Sequence, residues 1–419
     1  MHKYIAAALT LFVLIDAAPA DDWPQFRGPR RDGISRETGL YREWPPEGPK
    51  VLWTLEVCQG YAAAAIVGGK VYFNDYSEQD KEWYVRCVNL SDGQEQWRYA
   101  EKKRIRPNHS ITRTVPAVDD KYVFSFDPKS VLHCLNAETG VENWQKKFVR
   151  EYKTKNPPWY NGQCPLIESD RLIVAPGGDA LIVAFNKDTG DEIWRTPNPD
   201  KWPMAHSSVM VAELCGVKQY LWTTLMGVVG VAADDGRILW TLPWKFNLAV
   251  APSPVPIDDQ RVFATSGYDA DSVMIKLSRE GDAFKAEAAF SFGSEFWNSE
   301  CHTPIVWTNH LFAVGKKKRG LFTCLDFDGA QVWTSRGHSS YGLGSYILAD
   351  GMFYILEGDS GVLRLLEAST TECKQLAQAQ LLHGHDVWAP LALSDGKLVI
   401  RDMTTMICVE VGPPGIVGE

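Results

Sequence analysis

The stretch AFNKDTGDEIW, Ala184 to Trp194, is repeated along the chain. The same frame reads CVNLSDGQEQW from Cys87 to Trp97 and CLNAETGVENW from Cys134 to Trp144. It returns with drift as GVAADDGRILW ending at Trp240 and CLDFDGAQVW ending at Trp333. In each, a glycine stands four residues before the tryptophan: Gly93, Gly140, Gly190, Gly236 and Gly329. Each frame is a short apolar alternation, a polar turn closed by glycine, and a second strand ending in a large ring. An Asp-Gly or Thr-Gly step supplies the positive φ a tight turn needs, so each frame reads as a β-hairpin.

The tryptophans set the period. Trp97, Trp144, Trp194 and Trp240 are spaced by 47, 50 and 46 residues, and Trp333 follows after 93, two periods with one ring missing. The missing unit is MIKLSREGDAFKAEAAF, with a turn at Glu280-Gly281 and Phe284 expected in place of the tryptophan. Short strands repeating every 40–50 residues, roughly, are the mark of a β-propeller with one four-stranded blade per repeat. Upstream of the hairpins, Pro116, Pro165, Pro254, Pro304 and Pro390 open further strands. Proline cannot donate to a ladder and suits the first residue of an innermost strand, which has a free edge.

The last unit, 388–412, has three strands and then stops. Its fourth is expected from the N-terminal side, where Lys50-Val51-Leu52-Trp53-Thr54-Leu55 reads like Arg237-Ile238-Leu239-Trp240-Thr241-Leu242. Trp53 thus joins the structural rings. Pairing 51–57 with about 404–410 closes the circle, removes an open edge and gives an all-β, eight-bladed propeller over 51–412, with a tail at 413–419.

Residues 1–20 have a basic start, a short apolar run and an A-x-A end, the pattern of a secretory signal peptide cleaved after Ala20. No cysteine follows the apolar run, so no lipid anchor is expected. The mature chain is expected to be periplasmic or secreted, with no transmembrane segment. Its net charge of −9 argues against a nucleic-acid partner or an anionic membrane surface. Residues 21–50 are rich in Pro, Gly and Arg and read as an irregular arm anchored by Trp23, Phe26 and Trp44. Arg27, Arg30 and Arg31 are expected to face solvent, an anion site being the alternative.

Nine cysteines are an odd number. Cys87, Cys134, Cys324 and Cys408 fall on matching strands of different units, which do not meet, so they read as buried thiols that are not bonded to one another. Neither a CxxC motif nor a Cys/His spacing suited to zinc occurs, and no metal site is expected.

The recurring frame resembles the A-x-D-x-x-T-G-x-x-x-W tryptophan-docking repeat of quinoprotein (PQQ-dependent) dehydrogenases and their PQQ-like relatives. The opening Trp23-Pro24-Gln25-Phe26-Arg27-Gly28-Pro29, followed by Arg31-Asp32-Gly33, looks like the start of exported bacterial PQQ-like propeller proteins. These are cousins of the BamB-type outer-membrane assembly lipoprotein. The resemblance spans about 21 to 412. It implies eight blades, each motif tryptophan wedged against the next blade. The dehydrogenases carry adjacent cysteines beside the quinone and a calcium ion held by acidic and amide side chains. This chain has no Cys-Cys pair.

The segments before each innermost strand should line one mouth of the central channel. They carry His109, Arg113, Trp159, Asn161, His206, Glu300, His302, Tyr341, His385, Asp386 and Trp388. Convergent polar and aromatic side chains around a funnel make it the candidate ligand site. No nucleophile-elbow motif accompanies the histidines, and no catalytic residue is assigned. The expected function is a non-catalytic exported scaffold that binds a protein partner or small ligand and uses no cofactor. The alternative is a periplasmic quinoprotein-like oxidoreductase using PQQ or another small cofactor.

Overall fold

In the outer strand Ile238–Pro243 only Trp240 is buried, whereas the middle strand Ala180–Asn186 is buried at every position but its last. That contrast is what stacked blades produce. Inner and middle strands are covered on both faces by neighbouring sheets, while outer strands reach solvent. The computed structural model describes residues 21–315, 320–336, 340–413 and 416–417. The expected signal peptide at 1–20 and most of the C-terminal tail lie outside these.

The chain forms eight antiparallel blades around a central channel. The first comprises Ala64–Val67, Lys70–Ser77, Glu82–Asn89 and Glu95–Lys102, in that order from the channel outwards. Blades 2 to 7 occupy 117–147, 166–197, 210–243, 255–292, 305–334 and 346–380. Blade 8 takes Ala392–Ser394, Lys397–Arg401 and Thr405–Glu410 from the C-terminal side, and Val51–Glu56 completes it. Trp53 stands opposite Cys408 and Glu56 opposite Thr405, the expected closure. The apolar core is divided among the seams between blades, as nearest-neighbour stacking dictates.

All eight blades share one irregularity, a bulge in the outermost ladder, beside the motif ring in every blade but the seventh. It follows the pairs Cys87–Trp97, Cys134–Trp144, Ala184–Trp194, Gly230–Trp240 and Cys324–Trp333. In blade 5 the equivalent pair is Met274–Phe290, and in blade 7 it is Leu365–Ala377. The missing ring is therefore Phe290, not Phe284. The blade 5 hairpin, Ser272–Glu280 with Ala283–Phe292, is longer than its siblings, so its turn falls farther from the ring and misled the count. Phe284 sits near the hairpin tip under the Arg279 guanidinium.

Trp53, Trp97, Trp144, Trp194 and Phe290 each pack on the turn glycine of the next blade. A β-carbon at Gly140 would lie 2.5 Å from Trp97, and one at Gly190 would lie 2.8 Å from Trp144. The indole N–H of Trp53, Trp97 and Trp144 donates to Leu90, Ala137 and Lys187, each three residues before the turn glycine. Two rings break the pattern: Trp240 donates to Gln219 of its own blade, and the Trp194 indole N–H has no partner, the Ala233 carbonyl accepting from Arg171 instead. Trp53, Trp240 and Trp333 are buried; Trp97, Trp144 and Trp194 are half-buried.

The arm is not a solvated strap. It crosses the inner edges of six blades. Trp23 exchanges backbone hydrogen bonds with Ile66, and the Pro24 carbonyl accepts from Val118. Arg31 donates to the Cys164 and Pro165 carbonyls, and Arg27 to those of Thr303 and Pro304. Ile34–Ser35 pairs in parallel with Tyr346–Ala349, and the Glu37 carboxylate accepts from Asp395 and Gly396. Inner strands leave edge groups unpaired, and the arm satisfies them. Arg27 and Arg31 are buried against carbonyls, which corrects both the solvent and the anion readings. Arg30 alone behaves as expected, pairing with Asp32 at the surface.

Candidate functional site

The central channel holds a funnel-like cavity of about 650 Å³. Phe26 of the arm forms part of its lining. The walls come from the connections entering each innermost strand, as the repeat requires. Of the expected residues, His109, Arg113, Trp159, His206, Glu300, His302 and Trp388 line it. Four do not. Asn161 is buried, its carbonyl oxygen capping the Gln163 amide. Tyr341 is buried against Phe322. His385 is exposed and pairs with Asp386, whose carboxylate accepts from Tyr61 at 3.5 Å.

The sequence reading missed Phe26, Tyr61, Tyr268, Cys301 and Asp359, which also line the funnel. Tyr61 lay within a segment assigned to the mouth and could have been chosen. Tyr268 and Asp359 come from the connections between the second and third strands of blades 5 and 7. Those turns face the same mouth but carry no periodic signal.

Aromatic stacking organises one side. Trp159 stacks on Tyr268 at 5.8 Å and on His206 at 6.3 Å, with His109 edge-on. Tyr61 stacks on Trp388 at 5.2 Å, and Arg113 covers the Tyr61 ring. Arg113 donates to the Trp159 and His109 carbonyls, tying two lining loops together. His109, Trp159, Tyr268 and Asp386 have φ values of 47°, 61°, 56° and 52°. Left-handed backbone at non-glycine residues costs energy and recurs where a site holds its side chains in place. Gly162 leaves room for the His206 ring, which a β-carbon there would approach to 2.7 Å.

Burial, with the nearby Arg113 charge, pushes the His206 imidazole down to about 4. The Pro158 carbonyl pulls the other way, although neither ring nitrogen has a hydrogen-bond partner. Burial likewise pushes His302 down to about 4 against the Leu343 carbonyl, which its Nε2 meets at 3.0 Å. Both rings are neutral near pH 7. Burial pushes the Tyr61 hydroxyl up to about 12, with Asp386 adding to the shift.

Among the described residues, Glu101, Asp127 and His133 are the group of metal-type ligands close enough to share an ion. They lie in the seam of blades 1 and 2, not in the funnel. There the Lys103 ammonium already pairs with both carboxylates. Cys164 and Cys301 reach the funnel from different blades.

A family described as the outer membrane protein assembly factor BamB matches residues 81–289. Among solved structures, BamB from Moraxella catarrhalis aligns with a TM-score of 0.59 at 13% identity, over 86% of this chain and 97% of its own. The quinohemoprotein alcohol dehydrogenase from Comamonas testosteroni aligns with a TM-score of 0.52 at 14% identity, over 97% of this chain and 82% of its own. The computationally designed protein Ika8 aligns with a TM-score of 0.55 at 13% identity, over 86% of this chain and 99% of its own. No curated protein matches the sequence. Fold and comparisons together define a PQQ-like β-propeller protein. No described helix is long and apolar enough to cross a membrane.

Proposed function

We propose that the protein is an exported, non-catalytic binding scaffold that holds a small ligand in its funnel, leaving the outer loops to a protein partner. One observation carries the reading: the central channel holds a cavity of about 650 Å³ lined by aromatic and polar side chains, with Phe26 of the arm among them. That volume lies within the range of small-molecule sites, which combine apolar walls with a few fixed polar groups. The stacked rings and the two neutral histidines supply both. The likeness to BamB supports a scaffold, and the pattern of residues 1–20 supports export. Native mass spectrometry of protein purified from its own host tests this. A retained small molecule that is lost on Trp159→Ala substitution is the expected result, and a clean apo mass from gently prepared protein counts against it.

The quinoprotein alternative has its own assay. Reconstitution with PQQ and calcium should yield no dye-linked oxidation of alcohols or sugars. Turnover that vanishes in Glu300→Ala or Asp386→Ala would install the oxidoreductase instead.

A further inference from the structure

Arg113 is a half-buried cation without a carboxylate counter-charge. Among the described residues, no carboxylate stands within ion-pair distance of it. Its N–H groups are met by the carbonyls of Asn108, His109, Ile111 and Trp159. Carbonyls satisfy hydrogen bonds but leave the full charge in place, and buried charge without a partner is unfavourable. Burial accordingly pulls the guanidinium down to about 10. Beside it, His206 is 9% exposed, lines the cavity and has no hydrogen-bond partner on either ring nitrogen. The Trp388 indole N–H, also in the lining, is buried without an acceptor. The Arg113 charge acts on the His206 imidazole, so a cation and an unsatisfied ring lie close together in the wall, whereas Trp388 enters blade 8, across the ring from His206 at blade 4.

We infer that the ligand of this funnel carries an anionic group, a carboxylate or similar oxoanion, seated between Arg113 and His206. This rests on the funnel being a ligand site. The anion would supply the missing counter-charge and accept from the neutral imidazole, and a flat apolar body would lie along the tryptophans.

Isothermal titration and tryptophan fluorescence with benzoate, benzyl alcohol, benzylamine, acetate and phosphate test the inference on the intact protein. Benzoate should bind at least about tenfold more tightly than the alcohol or the amine, with an advantage that shrinks in high salt. Binding of acetate or phosphate alone would place recognition in the charge. Binding of benzoate with neither small anion would show that the ring contributes as well. Arg113→Lys should keep the preference and Arg113→Met should lose it. Since Arg113 also ties two loops together, His206→Phe provides an independent loss in a chain whose thermal unfolding is monitored alongside. Equal affinity for benzoate and benzyl alcohol overturns the anion while leaving the cavity reading intact. If no probe binds, the anion inference falls. The cavity reading is then judged by native mass spectrometry, where a retained neutral molecule sustains it and none removes it.

Discussion

At Gly140 the turn backbone and the Trp97 indole share one constraint. The glycine has a φ of 72°, and a β-carbon there would strike the ring. Gly140→Ala should therefore cost about 1–3 kcal/mol in urea unfolding. Trp97→Ala removes the ring and its hydrogen bond to Ala137, at roughly 3 kcal/mol. The double variant should cost less than the sum, because both changes break one contact. The funnel histidines make a second prediction at this scale. His206 and His302 are held below their ordinary value in the folded state, so the unfolded chain takes up protons first. Their stabilising contribution is complete above the unfolded value of about 6.5 and is lost as pH falls towards 4. Unfolding midpoints should drop across that window, and a His206→Phe/His302→Phe chain should show a flatter profile.

The strand Val51–Glu56 is the element whose loss reaches farthest. Deleting it should expose the outer edge of blade 8 and lower the unfolding midpoint of the whole ring, with new self-association detectable by light scattering. Cys87, Cys134, Cys324 and Cys408 lie on the strands that face outermost ladders, and all four are buried. Burial pushes their thiols up, Cys87 to about 11 and the others to about 12. Thiol reagent should leave them unreacted in the native protein and find all four after denaturation without reductant. These elements were legible because blades repeat: a glycine four residues before a ring fixes a register wherever it occurs. Phe290 escaped because its hairpin is longer, so distance from the turn no longer marks the ring. Arg27 and Arg31 escaped because composition alone cannot show that the inner strands offer them carbonyls. Tyr268 and Asp359 escaped because their turns follow no repeat.

Over the whole molecule, the arm should support the funnel's lining. Arg31→Met would strand the Cys164 and Pro165 carbonyls, costing about 2–4 kcal/mol, and should weaken any funnel ligand as Phe26 loses its support. Calorimetry of the variant with and without benzoate measures both effects.

The arm also governs the order of events in time. Arg27 reaches Thr303 across 276 positions, and Glu37 reaches Gly396 across 359. These are among the last bonds a growing chain can make, so the earliest part of the fold to be synthesised waits for the latest. Contacts of such span slow folding, since a long loop must close before they reward it. The same contacts must break before any of the six blades the arm touches can peel from the ring. The protein should therefore be slow to form and slow to come apart, its lifetime set by the unfolding rate rather than by equilibrium stability.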